Sequence, residues 1–354
     1  MKRIFLFLIA ALFLGIGVVS SNTEWMKALG QYRADAWPTD KYRYGDLYGL
    51  SYLPHYKTPV FKLADLKPDY VKSKAVSNVH LYTICDSYIW AFLQTDSLLA
   101  HADAYRFSRL DYEGKRFHLD STKKNILVLE MVERRVRYTL PDTTVLYQQL
   151  EVVASHAEES TQDMKPTSWV NSHLFNKDIE SNLEFNLFDY PLFTPLKEAK
   201  AKLNQMVFNR ISPDVFISPT RDRLYYQKTI DTTLNSSSFN PLPSEEEAML
   251  VKNFNQVYHH YKRAGFDEVY LAIMPNPVTV LEPELGKYND LIPRIQQNPA
   301  LQMPVIDVYT KFQRLKEQPI YARSDTHWTR TGFLASLALI DSVLATHIPF
   351  RARK

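Results

Sequence analysis

Beyond residue 76 the chain alternates between two kinds of pattern. Compact apolar blocks rich in β-branched residues recur at Asn78–Cys85, Asn125–Val132, Glu268–Met274 and Pro304–Tyr309. Such continuous runs are the signature of strands buried on both faces, as in parallel sheets. Between them lie segments with helical spacing: Ile89–Ala100, Leu146–His156, Leu196–Leu203 just after Pro195, a long one from Ser244 to Lys262, Leu291–Gln297, Lys311–Glu317 and Phe333–Ile340. Ser244 followed three residues later by Glu247 reads as a capping box, and Gly265 as a stop. Val215–Ile217 and Leu224–Tyr226 flank a polar turn at Pro219–Asp222 and predict a hairpin. Residues 104–119 leave room for a short strand pair. Helices alternating with buried strands give an α/β class with a mainly parallel sheet.

The first residues follow another rule. Lys2-Arg3 precede an unbroken apolar run from Ile4 to Val19, and Ser20-Ser21-Asn22 follow. A basic start, an apolar stretch of about 16 residues and small residues behind it make a secretory signal or an uncleaved membrane anchor over 1–21. Either one exports the rest of the chain, to the periplasm or cell exterior. Residues 22–75, rich in Tyr, Pro and Lys, read as an irregular arm with short strands. Residues 76–345 form the α/β domain, with a mixed insertion at about 141–210.

Composition narrows the function. The 354 residues carry 42 Lys+Arg against 39 Asp+Glu, a net charge of +3, with no basic block. Nothing there points to nucleic acid. The single cysteine, Cys85, excludes an intramolecular disulfide and a cysteine-based zinc site. The 22 tyrosines fit ordinary sheet positions or rings that stack on sugars.

Two places carry candidate chemistry. Asp86-Ser87 stands between the end of one predicted strand and the start of a helix, the side of an open α/β sheet where sites form. A hydroxyl there lies near the free N–H groups of a first helical turn, which can stabilise an oxyanion. The same dipeptide is also a common N-cap. Near the other end, Asp325-Thr326-His327-Trp328 places a carboxylate two residues before an imidazole. On a helix these would diverge. In a loop the carboxylate can reach back to the ring and fix its tautomer, or simply cap the helix that follows.

Taken together these blocks resemble a known family. Tyr82-Thr83-Ile84-Cys85-Asp86-Ser87-Tyr88 resembles the Gly-Asp-Ser block of the SGNH (GDSL) hydrolase superfamily. Asp325-Thr326-His327-Trp328-Thr329 with Gly332 resembles the Asp-x-His-Trp block of its alginate O-acetyltransferase-like branch. Ile273–Pro283, Val305–Val308 and Ile126–Arg134 are similar to further segments of that branch. The likeness covers roughly 76–140 and 211–345. Two departures stand out: the serine half precedes the Asp-x-His half, the reverse of the branch's usual order, and Cys85 replaces the usual glycine, where a thiol would narrow the site.

The resemblance implies a three-layer SGNH/flavodoxin-like fold. It implies Ser87 as nucleophile, His327 as general base and then acid, and Asp325 as its orienter. The Ser87 N–H would be one oxyanion donor and the Asn276 amide a second, unless Asn276 is only a turn residue between prolines. Arg134 would bind an acid group of a sugar or pair with Glu133 or Glu130. The activity implied is an exported O-acyltransferase, O-acetyl by analogy, acting on a surface or secreted polysaccharide. A membrane-bound O-acyltransferase would supply the acyl group, without metal or diffusible cofactor. A carbohydrate esterase with the same triad, and a catalytically inactive glycan-assembly protein, are the rival readings.

Overall fold

The computed structural model describes residues 2–22, 25–26, 28–30, 39–72, 77–110, 112, 114–153 and 179–348. The chain divides into two units, one of Met1–Val60 and Ser160–Val215, the other of Phe61–Glu159 and Phe216–Lys354. The boundaries differ from those read in the sequence. The N-terminal segment, most of the arm and the insertion from Ser160 supply one unit between them, while the arm's last stretch from Phe61 and the start of the insertion up to Glu159 belong to the α/β unit.

The α/β unit is built on four parallel strands: β1 (Val79–Cys85), β2 (Ala104–Arg109), β3 (Lys124–Val132) and β4 (Glu268–Met274). Their spatial order is β2-β1-β3-β4. A parallel bridge from Leu271 to Val305 extends the sheet beyond β4. The register aligns Ser108, Ile84, Leu129, Leu271 and Val305 in one row. All four strands therefore end on the same side.

Side chains alternate across the strands and feed two separate apolar clusters. Val79, Leu81, Ile126, Val128 and Val132 join one, closed by α3 (Val308–Arg314) through Phe312 and by α4 (Arg330–Thr346) through Phe333, Leu337, Ile340 and Leu344. Tyr82, Ile84, Leu127, Leu129 and Leu271 join the other. There α2 (Ser244–Arg263) contributes Leu250, Phe254, Val257 and Tyr261, spaced by four, three and four so that all share one helical face. Each such side chain stabilises the fold by roughly 1.5–3 kcal/mol on burial. This is why the runs are apolar at most of their positions.

Several local expectations are corrected. The helix read from Ile89 to Ala100 is a single turn, α1 (Ser87–Trp90), followed by a 3-10 turn at Asp96–Leu98. Thr95 draws the Ser97 N–H to its own hydroxyl, which competes with helix continuation. The strands within 104–119 do not pair with each other: β2 lies on β1, and Lys115–Phe117 pairs with Leu150–Val152. That second pairing ends the helix expected over 146–156 at Tyr147; His156 lies outside the described residues. Gly114 permits it, since a Cβ there would stand 1.7 Å from the Gln148 carbonyl oxygen.

The run Pro304–Tyr309 forms only the Val305 bridge, because Asp307 accepts the Thr310 N–H and starts α3 early. At α2 the cap position is Pro243, not Ser244; the Glu247 N–H bonds the Pro243 carbonyl, and the Glu247 carboxylate holds Arg294 and Asn298 instead. The hairpin at Val215–Ile217 and Leu224–Tyr226 is present.

The other unit is helical among its described residues. The N-terminal helix runs Lys2–Ser21, and shorter helices cover Asp40–Tyr44, Asp46–Ser51, Ile179–Phe188 and Thr194–Phe208. The short strands expected over 22–75 are absent among the described residues. Tyr48 and Tyr52 donate their hydroxyls to Glu198 and Asp189, and Lys57 and Lys197 complete the polar seam. The Lys2–Ser21 helix is long and apolar enough to be a signal peptide or membrane anchor.

Candidate active site

Parallel register delivers the ends of β1 and β3 side by side, and the chemistry collects there. Asp86 follows β1 and is the pivot of the turn. One carboxylate oxygen caps α1 by accepting the Tyr88 N–H (2.9 Å), and the other accepts the Val132 N–H at the end of β3 (2.7 Å). Its own N–H donates to Glu130 (3.0 Å). Two neighbouring strand ends are thus stitched through one aspartate, and Ser87 is held at the first position of α1. Its N–H has no acceptor within such a short turn.

Glu130 is fully buried on β3, and burial beside Asp86 pushes its carboxyl well above the usual range. In the protonated form it stays neutral inside the apolar cluster.

The loop ahead of α4 brings the partner groups. Tyr321 bridges Trp328; the Ala322 N–H bonds the His327 carbonyl (3.1 Å) and the Thr329 N–H bonds that of Ile320 (2.9 Å). Gly332 sits so close beneath this loop that a Cβ would meet the Ile320 carbonyl oxygen at 2.2 Å. Tyr88 ties the loop to α1: its hydroxyl donates to the Thr326 carbonyl, and its ring lies 4.8 Å from that of His327 and 5.1 Å from that of Trp328. Trp328 is core, packed against Phe312 and Phe333.

The result is a linear relay. Ser87 Oγ stands 2.8 Å from His327 Nε2, and His327 Nδ1 stands 2.6 Å from Asp325 Oδ1. The same Asp325 oxygen accepts the His327 backbone N–H (2.7 Å), which fixes the carboxylate against its own loop. With the Nδ1 proton facing Asp325, Nε2 presents a lone pair to the serine hydroxyl. That is the arrangement needed to remove the hydroxyl proton as oxygen attacks.

A cleft of about 380 Å³ opens on Ser87. Arg134, Arg135 and Lys228 line it, with Tyr138, Tyr226 and Ser236. Arg134 reaches back over the Tyr88 ring, 5.4 Å from its centroid, and its Nη1 is 3.4 Å from the Tyr88 hydroxyl. The candidate Arg134 therefore does border Ser87. Arg135, Lys228 and Tyr226 were not singled out in the sequence. Arg135 had a readable signal, being the next residue past the same strand end. Lys228 had none: its hairpin is placed by a bond from the Leu224 N–H to the Arg323 carbonyl (2.8 Å), a tertiary contact.

Two expectations about the oxyanion side are corrected. Asn276 is fully buried and is not part of the cleft lining. Its backbone N–H donates to Glu133 (2.8 Å) and its amide to Ser238 (3.0 Å). Glu133 also accepts the Thr279 hydroxyl (2.6 Å), and Ser238 meets Thr279 at 2.7 Å. Asn276 is therefore a strut in a buried polar network, and so is Glu133, whose carboxyl burial pushes up to about 7. Cys85 does not narrow the cleft either. Its thiol lies inside the apolar cluster, 3.8 Å from the Ser108 carbonyl, and burial pushes its pKa up.

No protein-family model, curated protein or solved structure matches the chain.

Proposed function

We propose that the chain is an exported O-acyltransferase of SGNH type that modifies a cell-surface or secreted polysaccharide, with acetyl as the group transferred. The observation that carries the reading is the relay Ser87–His327–Asp325, with spacings of 2.8 and 2.6 Å. Strand order supports it. Numbered along the chain, the sheet runs 2-1-3-4 with the Val305 bridge in fifth place. In doubly wound sheets of that order, ligands bind past the carboxyl ends where the first and third strands lie side by side. Ser87 and Arg134 stand at those two strand ends.

In this reading Ser87 Oγ attacks the acyl carbon while His327 Nε2 takes its proton. The Ser87 N–H faces the oxyanion. His327 then returns the proton to the leaving group, and an acyl-serine remains. A sugar hydroxyl, deprotonated by the same His327, attacks that ester and carries the acyl group away. The acyl group would arrive from a membrane-bound O-acyltransferase, and the Lys2–Ser21 helix fits an exported or membrane-held protein.

The test is to incubate the purified protein with an acetyl ester, with and without an oligosaccharide. Acetyl transfer to sugar above the hydrolysis background supports the transferase. Hydrolysis unaffected by sugar assigns an esterase on the same triad, and no turnover by folded protein leaves a glycan-assembly role.

A further inference from the structure

The helical unit displays apolar residues that its own fold does not cover. On the helix Thr194–Phe208, Leu196, Leu203 and Met206 are 71%, 56% and 72% exposed, and Ala199 between them is exposed too. Their spacing of three, four and three places them in one stripe along the helix. From Leu196 to Met206 that stripe is about 15 Å long. The opposite side of the helix holds the polar seam, where Lys197 meets Asp189 and Glu198 meets Tyr48 and Lys57. The stripe is therefore the outward face.

Two further observations say what covers it. The Lys2–Ser21 helix has almost wholly exposed apolar sides, and twenty residues span about 30 Å of hydrocarbon. Its last turn is fastened within the same unit: Asn182 donates to the Ser20 carbonyl and Asn186 to the Ser20 hydroxyl, both at 2.8 Å. The helix Ile179–Phe188 is thus held at the level where the anchor leaves the bilayer. From Asn186 to Leu192, the first exposed leucine before the stripe, the chain reaches at most about 20 Å. Phe188 and Tyr190 in this stretch and Trp25, four residues past the end of the N-terminal helix, are all exposed, as interfacial rings are. Charge agrees: residues 199–211 contain Lys200, Lys202 and Arg210 and no acidic residue, a composition that favours anionic headgroups.

We propose that the helix Thr194–Phe208 lies in the surface of the phospholipid bilayer that holds the N-terminal helix, with Leu196, Ala199, Leu203 and Met206 inserted among the lipids. The proposal requires the Lys2–Ser21 helix to stay on the mature chain, and it does not depend on the acyl-transfer reading.

The full-length protein is reconstituted into phosphatidylethanolamine–phosphatidylglycerol vesicles carrying an environment-sensitive dye on Leu203→Cys, or on Ala199→Cys as an independent position. Cys85 is buried and does not compete for the label. Lys316→Cys, exposed in the α/β unit, is the reference. The stripe positions should shift to the blue and be quenched several-fold more than Lys316→Cys by lipids with a nitroxide high on the acyl chain. A water-like spectrum at both stripe positions overturns the proposal. So does a blue shift without lipid quenching, which would mean that protein covers the stripe. An intact mass lacking the N-terminal helix in protein extracted from membranes overturns it as well.

Discussion

Leu129 and Leu271 of the α/β unit have no exposed surface and stand in one row of the sheet, with Ile84 and Val305 beside them. Leu196 and Leu203 of the helical unit, the same residue type, are more than half exposed. The difference follows from what each unit has to hold still. In the α/β unit, apolar clusters on both sheet faces leave the strand ends no freedom, so a serine on one element meets a histidine 240 positions away within hydrogen-bond distance. The helical unit is held largely by tyrosine hydroxyls, lysines and carboxylates; it buries Leu47 and Leu53 but turns Leu196 and Leu203 outward. Position in the assembly, more than residue type, decides what a leucine does here.

That contrast can be broken most decisively at the relay. Ser87→Ala or Asp325→Asn should lower acyl-ester turnover by about 10⁴-fold, with circular dichroism and melting temperature unchanged. A loss below about tenfold would mean that the precise side of the contrast is structural only.

The next largest effect is on the core. Leu129→Ala or Leu271→Ala should destabilise the fold by about 2–5 kcal/mol in urea unfolding, since each leaves a cavity between packed layers. The exposed Leu203→Ser should shift the same midpoint by less than about 0.5 kcal/mol. Equal costs at the two sites would erase the contrast.

An intermediate effect tests the buried network behind the cleft. Burial raises the Glu133 carboxyl from 4.5 to about 7, so the folded state prefers its protonated form. Its contribution to stability is full below pH 4.5 and is lost as pH rises through about 7. The difference amounts to about 3 kcal/mol. Glu133→Gln, which keeps the shape without the charge, should flatten that part of the stability–pH curve. An unchanged slope would place the titration elsewhere.

The sequence revealed the parts of this molecule that depend on local pattern. Glu268–Met274 was legible because seven consecutive residues must be buried or half-buried. The relay was legible because Asp-Ser at a strand end and Asp-x-His ahead of a helix each keep their meaning in a short window. Pro304–Tyr309 looked just like a strand, yet one side-chain bond from Asp307 turns it into a helix start. Asn276 looked available at a strand end, and only the fold shows Glu133 and Ser238 on either side of it. Tyr226 and Lys228 reach the cleft on a hairpin set by a long-range bond, which no local pattern records.

The most direct measurement is covalent labelling of the folded, full-length protein with a serine-directed phosphonate, read by peptide mass spectrometry. The relay predicts a single adduct on Ser87, lost in His327→Ala although that variant stays folded. An adduct on another residue, or none on well-folded wild-type protein, would contradict the assignment of Ser87 as the nucleophile.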